Sequence, residues 1–185
     1  SYSLLGVAQE RAGKPDQAIS SFRQAIALDS DYDVAYRNLG VSLHAAGQHP
    51  AAIENFEQAL HLNPAHLSLF PKLGTELMQL ERYDDAIRVW KTMLDRSIED
   101  SEPYESLGIC LFQAGQLSEA RIAFHRALEI KGNSAPAFFG LALLNEQSGR
   151  LSEAIQLYET GLTIAPESSE VLDRLTQLRS QIKNP

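Results

Sequence analysis

The stretch that decides the fold runs from Asp33 to His66 and reads DVAYRNLGVSLHAAGQHPAAIENFEQALHLNPAH. Tyr36, Leu39, Gly40 and Leu43 stand at i, i+3, i+4 and i+7. Ala52, Phe56, Ala59 and Leu60 repeat that spacing with small offsets. Each set marks one apolar face of a helix. Between the two sets Gly47 suits a left-handed helix C-terminus, and Asn63-Pro64 then supplies a stop. The stretch therefore predicts a helix, a tight turn and a second helix.

Working outward, the same pattern returns every 34 residues without an insertion. Leucines stand at Leu5, Leu39, Leu73, Leu107 and Leu141, followed by Gly6, Gly40, Gly74, Gly108 and then Ala142. One aromatic series runs Tyr2, Tyr36, Phe70, Tyr104 and Phe138; another runs Phe22, Phe56, Trp90, Phe124 and Tyr158. Small residues recur at Ala18, Ala52, Ala86, Ala120 and Ala154, and turn glycines at Gly13, Gly47, Gly115 and Gly149. Helix pairs are predicted over about 1–12 with 16–29, 34–46 with 50–63, 68–80 with 84–96, 102–114 with 118–131, and 136–148 with 152–165. A last helix, about 169–182, carries Leu172, Leu175, Leu178 and Ile182 as its apolar stripe and turns Asp173, Arg174, Gln177, Arg179 and Gln181 outward. A glycine in mid-helix costs about 1 kcal/mol relative to Ala. Its recurrence in register therefore predicts a notch into which an aromatic of the facing helix packs.

These residues resemble the tetratricopeptide repeat, whose motif has an aromatic, then Leu-Gly, a small residue, Ala, an aromatic, Ala and Pro. The second unit matches through Tyr36, Leu39-Gly40, Leu43, Ala52, Phe56, Ala59 and Pro64. On that resemblance the chain divides into a first repeat at 1–32 with a truncated start, a second at 33–66, a divergent third at 67–100, a fourth at 101–134, a fifth at 135–168 and a capping helix at 169–185. The third departs at Glu81, Met93, Arg96 and Ile98, which predicts a looser or differently angled segment from Asp95 to Ser101. The fifth departs at Ala142 and Asn145. The resemblance implies an all-α fold, a right-handed α-solenoid superhelix of antiparallel helix pairs. Its first helices line a concave groove that binds a peptide segment or helix of another protein, with no chemistry of its own.

Positions that recur in every unit are committed to packing, so the opposite face of each first helix is free to meet a ligand. That face reads Arg37, Val41 and His44; Pro71, Thr75 and Met78; Glu105, Ile109 and Phe112; and Phe139, Leu143 and Glu146, with Asn38 and Lys72 beside it. Half of those twelve face positions are apolar, which suggests a binding surface rather than a solvated helix face. The expected partner-contacting residues are Arg37, Asn38, Val41, His44, Lys72, Thr75, Met78, Glu105, Ile109, Phe112, Phe139 and Leu143. Arg11, Arg37, His44 and Lys72 lie toward the amino end, and Glu102, Glu105 and Glu146 toward the carboxyl end. That distribution would orient a peptide carrying polarity of its own. The clamp by which co-chaperone repeats hold a peptide carboxylate is matched here at Asn38 and Lys72 alone. The asparagine ladder of sugar-transferase repeats is not followed, since Asn38 gives way to Lys72, Ser106 and Gly140.

Composition narrows the function classes. Of 185 residues, 16 are basic and 24 acidic, a net charge of −8, which argues against a large nucleic-acid footprint. No apolar run approaches the roughly 20 residues of a membrane helix, so neither nucleic acid nor membrane insertion is expected. Cys110, the single cysteine, reads as a small buried hydrophobe and forbids an internal disulfide. Of the histidines at 44, 49, 61, 66 and 125, His61 and His66 lie five apart across a proline turn, and no carboxylate completes a ligand set at helical spacing, so neither metal nor cofactor is expected. No phosphate loop, nucleophile elbow or His-Glu-x-x-His motif occurs. Asn145, at a core-facing position, needs a hydrogen-bond partner, and a local one is expected. The opening Ser-Tyr-Ser without an initiator Met predicts a fragment or processed product, with Tyr2 and Leu5 open to upstream repeats or a partner. The lone thiol suits a cytoplasmic setting. Together these features predict a non-catalytic adaptor or scaffold. The alternatives are a structural self-association module acting through the groove or the amino-terminal face, and the recruiting arm of a larger enzyme.

Overall fold

The computed structural model describes residues 1–96 and 100–183. Ile98, and with it part of the Asp95–Ser101 segment singled out above, lies outside the described residues. Among them, eleven α-helices form and no strand does. The chain divides into two compact units, Ser1–Arg82 and Tyr83–Pro185.

The first unit holds α1 (Tyr2–Arg11), α2 (Pro15–Leu28), α3 (Asp33–Ala45), α4 (His49–Leu62) and α5 (Leu69–Gln79). Each helix packs on its successor, and α1 also reaches α3. The second holds α6 (Tyr83–Leu94), α7 (Ser101–Gln113), α8 (Leu117–Ile130), α9 (Ala135–Gln147), α10 (Leu151–Ile164) and α11 (Ser169–Lys183), again packed in sequence, with α7 touching α9. Within each unit short turns join neighbouring helices into hairpins, the α-solenoid architecture expected from the periodicity. Helix bounds fall within two residues of those read from the sequence.

The notch argument holds in the first, second and fourth repeats. A Cβ built on Gly6 would stand 2.6 Å from the Phe22 ring, one on Gly40 2.6 Å from Phe56, and one on Gly108 2.6 Å from Phe124. Each of these rings is fully buried. Phe124 is gripped from both sides, because a Cβ on Gly140 would meet the same ring at 2.3 Å.

Each helix pair turns on the same local device. Gly13, Gly47, Gly115 and Gly149 adopt φ between 71° and 75°, and the residue after each glycine donates its amide back to the carbonyl five positions earlier, as in Gln48 N to Leu43 O at 2.9 Å. Glu81 fills that place after α5 at φ 56°, with Arg82 N still reaching Leu77 O at 2.8 Å. The hydrogen-bond pattern thus forces a residue with a Cβ into the left-handed region.

Two expectations need correction. Leu172 and Ile182 of α11 are exposed, and the face it buries consists of Leu175 and Leu178, with Val171 half-buried beside them. The spacing 171, 175, 178 keeps to one side of a 3.6-residue helix, whereas Leu172 lies about 100° away. This face closes over Ala142, Ala154 and Tyr158. Asn145 is buried, and its partner is not local: Arg121 Nη1 on α8 donates to its Oδ1 at 3.1 Å. No helix among the described residues is long and apolar enough to cross a membrane.

Candidate functional site

The twelve predicted contact residues all keep some exposure. His44, Lys72, Thr75 and Leu143 are exposed, and Arg37, Asn38, Val41, Met78, Glu105, Ile109, Phe112 and Phe139 are half-buried. They fall in both units, seven in the first and five in the second.

In the second unit three of them come together. Phe139 and Leu143 of α9 line a cleft of about 530 Å³, closed on the other side by Glu170, Val171, Asp173, Arg174 and Gln177 of α11. Leu143 also joins Phe112 of α7 around a smaller hollow of about 250 Å³, bordered by Glu146, Gln147 and Arg174. These two clefts share Leu143 and Arg174, so apolar floor and charged rim run on from one to the other. Such a mixture suits an apolar anchor flanked by polar groups.

The rim is built by an ion pair that the sequence did not reveal. Arg174 Nε donates to Glu146 Oε2 at 3.1 Å while its Nη2 reaches Oε1, and the Tyr158 hydroxyl donates to Oε2 at 3.2 Å. Burial first, then the neighbouring carboxylate, pushes the Tyr158 phenol well above its ordinary pKa, which keeps it a hydrogen-bond donor. Glu146 is therefore committed to α11 rather than offering a bare charge to a ligand, and Arg174 turns toward it instead of standing on a wet outer face. Phe139 serves two purposes. Its ring would lie 2.3 Å from a Cβ on Gly161 and packs on Tyr158 with ring centroids 6.4 Å apart, so it supports the fold as well as lining the cleft.

In the first unit Arg37 Nε donates to Asn38 Oδ1 at 3.3 Å. His44 is not free: its Nδ1 lies 2.5 Å from Glu76 Oε1, and His49 Nδ1 lies 2.7 Å from Glu76 Oε2. Sequence reasoning missed this carboxylate because it looked for ligands at helical spacing. The three residues sit on α3, α4 and α5, and Glu76 is 32 and 27 residues from the histidines. A signal was nonetheless present. The position of Glu76 in the 34-residue register is held by Ala8, Ser42, Cys110 and Leu144 in the other repeats, all small or apolar and, apart from the exposed Ala8, all buried.

Cys110 is fully buried, and burial pushes its thiol up to about 11 against a partly opposing contact from the Trp90 indole. Among the described residues Trp90 Nε1 has no hydrogen-bond partner, and the Cys110 sulfur is a polar neighbour of the indole. A protonated, inaccessible thiol is a packing group rather than a nucleophile.

Family comparison agrees with the geometry. Two models described as tetratricopeptide repeat match residues 4–66 and 99–167, together more than half the chain. Among solved structures the fold is similar to YrrB, a TPR protein with an unusual peptide-binding site, at a TM-score of 0.83 and 24% identity over 94% of this chain and 89% of that one. It is similar to MamA of Desulfovibrio magneticus RS-1 at a TM-score of 0.77 and 18% identity, covering 90% and 94%. It is also similar to a tetratricopeptide repeat protein of Parabacteroides merdae ATCC 43184, at 0.82 and 17%, covering 98% and 72%. At these identities the likeness concerns the fold. No curated protein matches the chain.

Proposed function

The chain belongs to the tetratricopeptide repeat family, and from that premise we propose that it is a non-catalytic adaptor that holds a peptide segment or helix of a partner protein on the free faces of its first helices. The observation that carries this reading is the pair of adjoining clefts on which Phe112, Phe139 and Leu143 converge under the Glu146–Arg174 rim. A preformed apolar floor lets a ligand side chain bury surface without ordering the receptor first, which is where such affinity arises. Arg37, Asn38, Val41, His44, Lys72, Thr75 and Met78 in the first unit, and Glu105 and Ile109 in the second, would supply further contacts of mixed polarity. The buried lone thiol is compatible with a cytoplasmic setting.

The test is capture of partners by the chain beside the variants Leu143→Glu and Phe112→Ala. Leu143 is 38% exposed, so a charge there should cost less than about 0.5 kcal/mol of stability. Captured proteins should nevertheless disappear. An unchanged set on the Leu143→Glu variant would sink the assignment. Phe139 is a poor choice for this purpose, because its ring also packs on Gly161 and Tyr158.

One observation favours a second reading, self-association. Tyr2, Leu4, Leu5 and Leu28 are exposed together, and Tyr2, Leu5 and Leu28 line a largely apolar hollow of about 590 Å³ with Ala25 and Tyr32. Sedimentation across a concentration series decides it: a monomer at every concentration dismisses this reading.

A further inference from the structure

We propose that His44, His49 and Glu76 form a binding site for one divalent transition-metal cation of the zinc type. Glu76 is the anomaly that leads there. Its residue exposure is 0%, in a register position given elsewhere to Ser42, Cys110 and Leu144, and its carboxylate oxygens are met by the two imidazoles and by no lysine or arginine among the described residues. Placing a carboxylate in a slot built for packing is costly unless its charge is compensated. A divalent cation held between the two imidazoles and the carboxylate would supply that compensation outright.

The geometry is that of a cation site. One atom from each residue can be offered as a ligand with all three within 4.8 Å of one another. Two imidazole nitrogens and a carboxylate oxygen are the donors that zinc and its neighbours prefer, and three protein ligands leave a fourth position to water. Ligands of a tetrahedral zinc stand roughly 3.3 Å apart, given metal–ligand bonds near 2.0–2.1 Å. The present nitrogen–oxygen separations of 2.5 and 2.7 Å must therefore open by under about 1 Å to admit the ion. The rings can make that movement, since their side chains are 44% and 35% exposed while the carboxylate at the floor is 1% exposed. The turn between α3 and α4, with Gly47 at φ 71°, brings His49 back beside His44, with ring centroids 6.4 Å apart. Glu76 is presented from α5. Ligands from three helices would thus tie the second helix pair to the first helix of the next.

The alternative is a hydrogen-bonded cluster in which each imidazole N–H donates to one carboxylate oxygen and no ion enters. Titration of the tag-free, chelator-treated chain with Zn²⁺ and Co²⁺ separates the two. The proposal expects one equivalent bound, a rise in melting temperature with added Zn²⁺, and visible Co²⁺ absorption of a low-coordinate site. It expects His44→Gln and His49→Gln each to weaken binding by at least about 10- to 100-fold, the loss that even an outer partner of a metal ligand produces. Both histidines are partly exposed, so these variants should fold, and their melting temperatures without metal confirm it. His125→Gln, an exposed histidine on α8, should bind like the parent chain. Absence of Zn²⁺ and Co²⁺ binding by the parent chain, or equal binding by the His44→Gln/His49→Gln double variant, overturns the site.

Discussion

The missing side chain at Gly40 sets how closely α3 and α4 can approach. A Cβ there would sit 2.6 Å from two carbons of the fully buried Phe56 ring, so the ring would have to shift to admit it. Helix propensity favours alanine over glycine by about 1 kcal/mol. Overpacking a buried aromatic costs about 1–3 kcal/mol. Clash wins, and Gly40→Ala is expected to lower stability by about 1 kcal/mol in denaturant unfolding. The sign should reverse once the ring is gone: in a Phe56→Leu background the same substitution should be neutral or stabilising. A parent chain that gains stability from Gly40→Ala would show that the glycine series has another cause. Cys110 follows the same logic at a smaller scale, since its slot accepts a sulfur with no exposure and a thiol held protonated.

Between elements, the α3–α4 hairpin is closed by polar groups that the apolar register does not encode. Asn63, just past the end of α4, donates from Nδ2 to Asp33 Oδ2 at 2.7 Å, and His66 Nε2 meets the same oxygen at 2.7 Å. Asp33 opens α3, so this knot fastens the exit of the pair to its entrance. The Asn63 hydrogen bond, opposed by partial burial and helped by His66, holds the Asp33 carboxyl below the usual carboxylate value. A depressed folded pKa contributes stability that is present above the unfolded value near 3.9 and is lost as pH falls through the folded one. Asp33→Asn should therefore cost about 1 kcal/mol at neutral pH. Melting temperatures of variant and parent should converge as the solution is acidified below about pH 4. A difference that persists unchanged into strong acid would mean the carboxylate charge is not what fastens the hairpin.

Across the whole molecule, legibility in the sequence followed the period. Leu39, Gly40 and Phe56 and their counterparts announced helices and notches because packing repeats every 34 residues. Glu76 with its two histidines, Arg121 on Asn145, and Arg174 on Glu146 join residues of different helices through polar contacts that each occur in one place only, which no repeat pattern encodes. Leu172 is exposed although it belongs to the leucine series of α11, because the number of leucines on a helix does not fix which of its sides is buried. Locality also bounds how damage spreads. In a repeat array each helix gains its stability mainly from its neighbours, and here helices pack in chain order within two compact units. Emptying the Gly6 notch by Phe22→Ala should cost about 3–5 kcal/mol, but that loss should be felt where α1, α2 and α3 meet. Amide hydrogen exchange is expected to accelerate strongly in those helices while α9, α10 and α11 keep the protection of the parent chain. Phe124→Ala should do the converse, loosening α7, α8 and α9 through the loss of a ring shared by Gly108 and Gly140. Equal acceleration along the entire chain from either substitution would mean that folding is cooperative over all the repeats, and that stability is not assembled pair by pair.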